Sequence, residues 1–266
     1  MIARTVVSAA VAASVLAVAP AAFAQDDRVD TLGGLHHRVY ESPQHFAMEL
    51  RLAPSFYPDV DTDPSLGGCT PFKSVFGPGK TLLLSGEFDW QALRIPHIGT
   101  LGPGLGIGYA TFSGNAPLAT ATSGGCITST STSSGESTSL NIYPFYAVAV
   151  FRADGLWKDL GVPFIPYAKA GLGGALWQAT NTLGTSNFNG DKGQGYSMGV
   201  QLAIGLAFNL NVLDPGAARE FDETMGVNST SLFAEWTDAS LNGLGFQSNP
   251  LRVGGTMWTF GLAWEF

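Results

Sequence analysis

Apolar and polar residues alternate with a period of two in eight separate stretches of this chain. The clearest runs from Tyr196 to Leu210. Tyr196, Met198, Val200, Leu202, Ile204, Leu206, Phe208 and Leu210 share one face, and Ser197, Gly199, Gln201, Ala203, Gly205, Ala207 and Asn209 share the other. That spacing predicts a β-strand with one apolar face and one small or polar face. His45–Phe56 repeats it, with Phe46, Met48, Leu50, Leu52 and Phe56 expected outward against Ala47, Glu49, Arg51, Ala53 and Ser55. Leu82–Ala92 sets Leu82, Leu84, Phe88 and Trp90 against Ser85, Glu87, Asp89 and Gln91. Leu101–Ser113 sets Leu105, Ile107 and Tyr109 against glycines and Ala110. In Leu140–Arg152 the contrast is weaker; Leu140, Ile142, Tyr146, Val148 and Val150 are expected outward. Tyr167–Gln178 turns Lys169 inward, Ser229–Asp238 turns Glu235 inward, and a last strand starts near Thr256.

That last strand places Trp258, Phe260, Leu262, Trp264 and Phe266 on one face and Thr259, Gly261, Ala263 and Glu265 on the other. A strand facing lipid outside and a polar lumen inside has this composition, with its aromatic end at the membrane–water interface. These five aromatic and aliphatic residues resemble the carboxy-terminal signal read by the assembly machinery of bacterial outer-membrane barrels. The alternative is the edge strand of a sandwich. Eight strands are the smallest usual number for a transmembrane antiparallel up-and-down β-barrel, the fold class expected here, and leave room inside only for side chains.

The amino terminus changes the setting. Arg4, the apolar run Val6–Val18 and Ala22-Phe23-Ala24 read as a signal peptide over 1–24, giving an exported protein with a periplasmic segment 25–44 and a barrel over 45–266. No later segment has about 18 unbroken apolar residues, so no further spanning helix is expected. With 34 Gly and only 13% charged residues, short strands and turns are favoured over long helices. The net charge of −8 offers no basic field and argues against nucleic acid as a partner.

Long connections at 57–80, 113–139, 179–195 and 239–255 are expected on the outside, and connections at 94–99, 153–166 and 211–228 on the periplasmic side. Within the last, Asp214 as N-cap, Pro215 at the first position and Gly226 as terminator predict a short helix. Pro54, Pro103 and Pro144 fall near strand ends, where a missing donor is tolerated. Cys69 and Cys126 lie in the first two outer loops; an exported pair suggests a disulfide, with two unpaired thiols as the alternative.

Several segments are similar to a family of uncharacterised outer-membrane β-barrel proteins found mainly in myxobacteria. They are Ser42–Arg51 followed by Tyr57-Pro58-Asp59-Val60-Asp61, Glu87–Gln91, Leu101–Gly106, Val212-Leu213-Asp214, Gly226-Val227-Asn228 and Phe233–Trp236. The resemblance implies the fold and leaves activity open.

Inward charges form the main candidate site. Glu49, Arg51, Glu87, Asp89, Lys169, Glu235 and Glu265 all fall on lumen faces, and buried charges must be paired. Arg51 and Lys169 are expected to meet Glu87, Asp89 or Glu235 as a plug; a proton or ion path is the alternative. Asp59, Asp61 and Asp63 have the spacing of a calcium loop, but Pro64 stands where a Gly is needed, so a solvated acidic loop competes with it. His36, His37, His45 and His97 map to the periplasmic side, which argues against a His-based lipid-modifying enzyme. Tyr40, Trp90, Trp177, Trp236, Trp258 and Trp264 are candidate interface anchors. The expectation is a monomeric outer-membrane protein without cofactor or catalytic residues. Membrane lipid, lipopolysaccharide and the assembly machinery would be its partners, with an extracellular ligand unspecified. A narrow solute channel is the rival.

Overall fold

A computed structural model describes residues 44–121, 127–188, 191–247 and 250–266. The expected signal peptide, His36, His37, Tyr40 and Cys126 lie outside the described residues. Eight long strands run through the chain: β1 (Phe46–Phe56), β2 (Thr81–Trp90), β3 (Gly99–Ala121), β4 (Ile127–Arg152), β5 (Phe164–Asn181), β6 (Gln194–Asn209), β7 (Ser229–Ser240) and β8 (Gly255–Glu265). Each pairs antiparallel with the next. β8 returns to β1, with Ala47 opposite Glu265 and Leu52 opposite Phe260, so the sheet closes on itself. Closure removes the unpaired edges that an open sheet would expose.

The rim where β1 begins, here the lower rim, carries the connections 91–98, 153–163 and 210–228. The last of these forms α3 (Pro215–Met225) as expected: Asp214 accepts from the backbone N–H groups of Gly216 and Ala217, and Gly226 ends the helix at φ 69°. Two further short helices were not expected. α1 (Pro71–Phe76) lies in the first upper connection and α2 (Gly155–Leu160) in the second lower one. No helix among the described residues is long and apolar enough to cross a membrane.

Segment 113–139, expected as a loop, is instead mostly the upper part of the β3–β4 hairpin, paired from Ser113↔Ser139 to Ala121↔Ile127 with register shifts around Pro117. The sequence shows no sustained apolar–polar alternation over 113–139, so the pattern could not reveal these strands. Pro54 sits at a register shift between Ala53 and Phe56, and Pro103 just beyond the end of β2–β3 pairing. Pro144 lies inside β4, where the β3–β4 ladder lapses between Phe145 and Ile142. The shift at Pro54 turns Phe56 inward, against expectation.

Outward positions form a continuous exposed apolar band. It includes Leu50 and Leu52 on β1, Leu84 on β2, Leu105 and Ile107 on β3, Leu172 on β5, Leu202 and Ile204 on β6, and Leu232 on β7. Aromatic rings border it at both rims. Tyr109 and Tyr143 meet near the upper rim at 5.2 Å, where Trp236 stands opposite Trp258. At the lower rim Phe46 stacks on Phe88 at 5.4 Å, Trp90 pairs with Phe46, and Phe164 meets Phe208 at 5.3 Å. Trp177 is not part of either girdle, because it points into the barrel and packs on the interior core.

The lumen is filled in layers. Its upper layer is apolar: Phe56, Leu83, Phe112, Leu140, Ile142 and Met257 converge beneath a cover made by Val60, Phe72 of α1, Leu241 and Val253. Its lower layer, toward β5–β8, gathers Ile165, Tyr167, Ala207, Phe233 and Ala263 against Trp157 of α2. The β4 faces are therefore the reverse of the expectation. Leu140, Ile142, Tyr146, Val148 and Val150 point inward and are buried, while Tyr143 and Phe145 are exposed. Both faces of β4 are apolar, and hydrophobicity alone does not set its phase.

Inward glycines explain how a narrow ring holds large side chains. Gly106 stands opposite Tyr146, Gly205 opposite Tyr167 and Gly261 opposite Phe233, and each aromatic ring lies over its glycine. A Cβ added at Gly205 would enter the Tyr167 ring. The Gly205→Ala substitution is expected to lower unfolding free energy by about 1–3 kcal/mol through overpacking. Equilibrium urea unfolding of the refolded protein checks this; a change within error would show that the ring moves aside freely.

Candidate functional site

Between the two apolar layers lies an ionic layer built from inward positions of five strands. β1 contributes Glu49 and Arg51, β2 Glu87 and Asp89, β4 Arg152, β5 Lys169 and β7 Glu235, and all are buried. Glu49 stands directly opposite Glu87 across the β1–β2 pair, a repulsive placement unless cations intervene. Two do. The Lys169 ammonium donates to Glu49 at 2.8 Å and Glu87 at 2.6 Å and lies 3.4 Å from Glu235. Arg51 bonds Glu49 and Glu235 and lies 2.9 Å from Glu87.

Arg152 completes the layer by bonding Glu49 and, at 2.6 Å, Asp89. Hydroxyls fill remaining acceptor positions: Tyr146 donates to Glu87 at 2.6 Å and Thr237 to Glu235 at 2.7 Å. The cations also lie on aromatic faces, with Arg51 5.5 Å from the Phe233 ring centre and Lys169 5.2 Å from that of Tyr167. Among the described residues, Asp89 Oδ1, Glu235 Oε2, Arg152 Nε and the Tyr167 hydroxyl have no hydrogen-bond partner.

The expected lumen residues Glu49, Arg51, Glu87, Asp89, Lys169 and Glu235 are thus brought together. The pairing differs in detail. Arg51 and Lys169 meet Glu49, Glu87 and Glu235, while Asp89 is held by Arg152. Sequence reasoning missed Arg152 because β4 was phased the wrong way; in the observed phase it falls inward with Val148 and Val150. Glu265 is also inward, near the lower rim, and accepts from Gln91 at 3.2 Å and Gln44 at 3.3 Å. Among the described residues, Glu49, Glu87 and Asp89 form the one group of three carboxylates close enough to share a metal ion. The protein's own cations already lie between them.

Asp59, Asp61 and Asp63 do not share a ligand position. Asp61 accepts from the backbone N–H groups of Phe72 and Lys73 at 2.8 and 2.9 Å and caps α1. Asp63 accepts from Ser65 N–H at 2.9 Å, and that bond holds its carboxyl below the usual range. Asp59 is half-buried, and burial together with Asp238 raises its carboxyl pKa. Three carboxylates with three separate roles do not make the calcium loop their spacing suggested. His45 and His97 lie at the lower rim, and His97 Nδ1 is 3.0 Å from Asp159.

No protein-family model matches the chain, and no curated protein matches it. Solved structures of small outer-membrane barrels are similar at low identity. The attachment invasion locus protein Ail of Yersinia pestis, crystallised with the heparin analogue sucrose octasulfate, is 12% identical; the match covers 84% of this chain and 97% of Ail, with a TM-score of 0.39. Neisserial surface protein A is 13% identical over 84% of this chain and 95% of its own, with a TM-score of 0.38. A major outer membrane protein from Thermus thermophilus is 13% identical over 83% of this chain and 99% of its own, with a TM-score of 0.39. At these scores the fold assignment stands on the strand pairing itself.

Proposed function

We propose that this chain is an integral barrel of a bacterial outer membrane, exported by a cleaved signal peptide over 1–24, with a structural or surface-interaction role and no catalysis. The observation that carries this reading is a closed ring whose outward side chains form an unbroken exposed apolar band between two aromatic belts. A soluble protein leaves no such belt uncovered, whereas acyl chains cover it at no cost. The lower rim then faces the periplasm, and the β3–β4 hairpin and the 57–80 connection face outward. The ionic layer and the apolar layers on either side of it leave the lumen closed by side chains.

The rest of the reading follows from that placement. Lipid and lipopolysaccharide surround a monomer, the assembly machinery reads Trp258, Phe260, Leu262, Trp264 and Phe266, and the chain belongs with the uncharacterised barrels it resembles. Cys69 pairs with Cys126 and ties the first upper connection to the β3–β4 hairpin. Mass spectrometry after alkylation without reductant is expected to find neither thiol labelled. The test of the main reading is reconstitution. The mature chain is expected to require detergent or lipid, to partition with outer membranes, and to give no steady single-channel conductance. Solubility without detergent would overturn the membrane placement, and steady conductance would overturn the closed lumen.

A further inference from the structure

The ionic layer does not balance. Among the described residues, Glu49, Glu87, Asp89 and Glu235 face three cations, Arg51, Arg152 and Lys169, leaving one negative charge in excess if every group is ionised. Glu265 stands apart from the layer, near the lower rim, where Gln91 and Gln44 donate to it. The layer is enclosed: the upper apolar layer closes it above, and the cluster of Ile165, Tyr167, Phe233 and Trp157 closes much of it below. An uncompensated charge in such a place is costly, and the usual resolution is that one group neutralises.

We propose that this cluster is a proton-binding site that holds one proton at neutral pH, and that Asp89 is the carboxyl that carries it. The contacts single out Asp89. Glu49 touches all three cations. Glu87 touches Arg51 and Lys169 and accepts from Tyr146. Glu235 touches the same two cations and accepts from Thr237; its Oε2 makes no hydrogen bond but lies 3.4 Å from the Lys169 ammonium, a cation that Asp89 Oδ1 lacks. Asp89 touches Arg152 alone, through one oxygen. Its other oxygen has no polar partner and faces Gly104 beside the Val150 methyl group. A proton there removes the excess charge and leaves the other three carboxylates to their three cations. The proton comes from hydronium in the solvent: one of its O–H bonds breaks, leaving water, as the Asp89 O–H bond forms. A bound metal ion is the competing way to neutralise the layer; Lys169 and Arg152 already occupy the spaces between Glu49, Glu87 and Asp89, which disfavours it.

Infrared spectroscopy of the full mature chain at neutral pH, refolded in a detergent without ester carbonyls, tests this. A protonated carboxyl has a carbonyl stretch well separated from carboxylate bands, and it shifts in D2O. One such band is expected in the unaltered protein. It is expected to vanish in Asp89→Asn and also in Glu235→Gln, because removing any one carboxylate balances the layer and releases the proton. In Lys169→Met, with one cation gone, the integrated band is expected to double. Heat-modifiable gel migration identifies folded variants, and the unaltered protein tests the proposal even if a variant fails to fold. Absence of the band in the unaltered protein would overturn the proposal. A band of unchanged intensity in folded Asp89→Asn or Glu235→Gln would overturn the single shared proton, and a band that does not shift when the aspartate carboxyl carbons alone carry 13C would overturn the assignment to Asp89.

Discussion

Replacing Arg51 by methionine is expected to lower the unfolding free energy by about 3–5 kcal/mol, the range for removing one partner from a buried ion cluster. The size follows from position. Arg51 is the cation that reaches across the lumen from β1 to both β2 and β7, meeting Glu49, Glu87 and Glu235. Methionine fills a similar volume and removes the charge, so the loss reports electrostatics more than packing. What remains is Glu49 directly opposite Glu87, with Lys169 as the cation that touches both. Urea titration of the refolded protein in lipid vesicles, followed by tryptophan fluorescence, measures the change. A loss under about 1 kcal/mol would show that the ionic layer relaxes around the gap as an exposed pair would.

Phe112→Ala is expected to have a comparable effect, about 3–5 kcal/mol, by a different mechanism. Phe112 is buried in the upper layer and touches three other rings: Phe72 at 4.9 Å, Phe56 at 6.0 Å and Phe76 at 6.4 Å between centres. Two of those rings belong to α1, so the substitution empties the space on which that helix rests. The stability loss should be accompanied by faster proteolysis within 57–80, while strand pairing in the barrel persists. Unfolding free energy and cleavage rate can be read on the same preparation. An unaltered cleavage rate with lost stability would mean that α1 is held by the Asp61 cap instead of by the ring cluster.

The fold was legible in the sequence wherever the two faces of a strand differ chemically. In β6 the contrast between Tyr196, Val200, Leu202, Ile204 and Ser197, Gly199, Gln201, Ala203 is complete, and the observed faces follow it. The charged lumen was legible for the same reason: Glu49 and Arg51 interrupt an otherwise apolar strand at alternate positions. β4 failed because its inward face is apolar too, with Leu140 and Ile142 in the upper layer and Tyr146, Val148 and Val150 in a cluster of their own, so these residues look no different from outward ones. One phase error then hid Arg152. Phe56 was misplaced because a register shift lies between it and the regular part of β1, and such a shift leaves no mark beyond Pro54. The upper hairpin was unreadable because 113–139 has no regular alternation of apolar and polar residues.

The seam where β1 meets β8 joins residues far apart in the chain, as in Met48 beside Trp264. A ring of this kind has no half-finished form in which every backbone group is paired. Until residues 255–265 arrive, both β1 and β7 present bare, sticky flanks, and the ion cluster lacks the wall that encloses it. Synthesis runs from β1 toward β8, so the earliest strand waits longest for its second partner. The final cyclisation is therefore the step that removes the last unpaired edges, and a chain halted before it keeps two strand edges open to wrong partners.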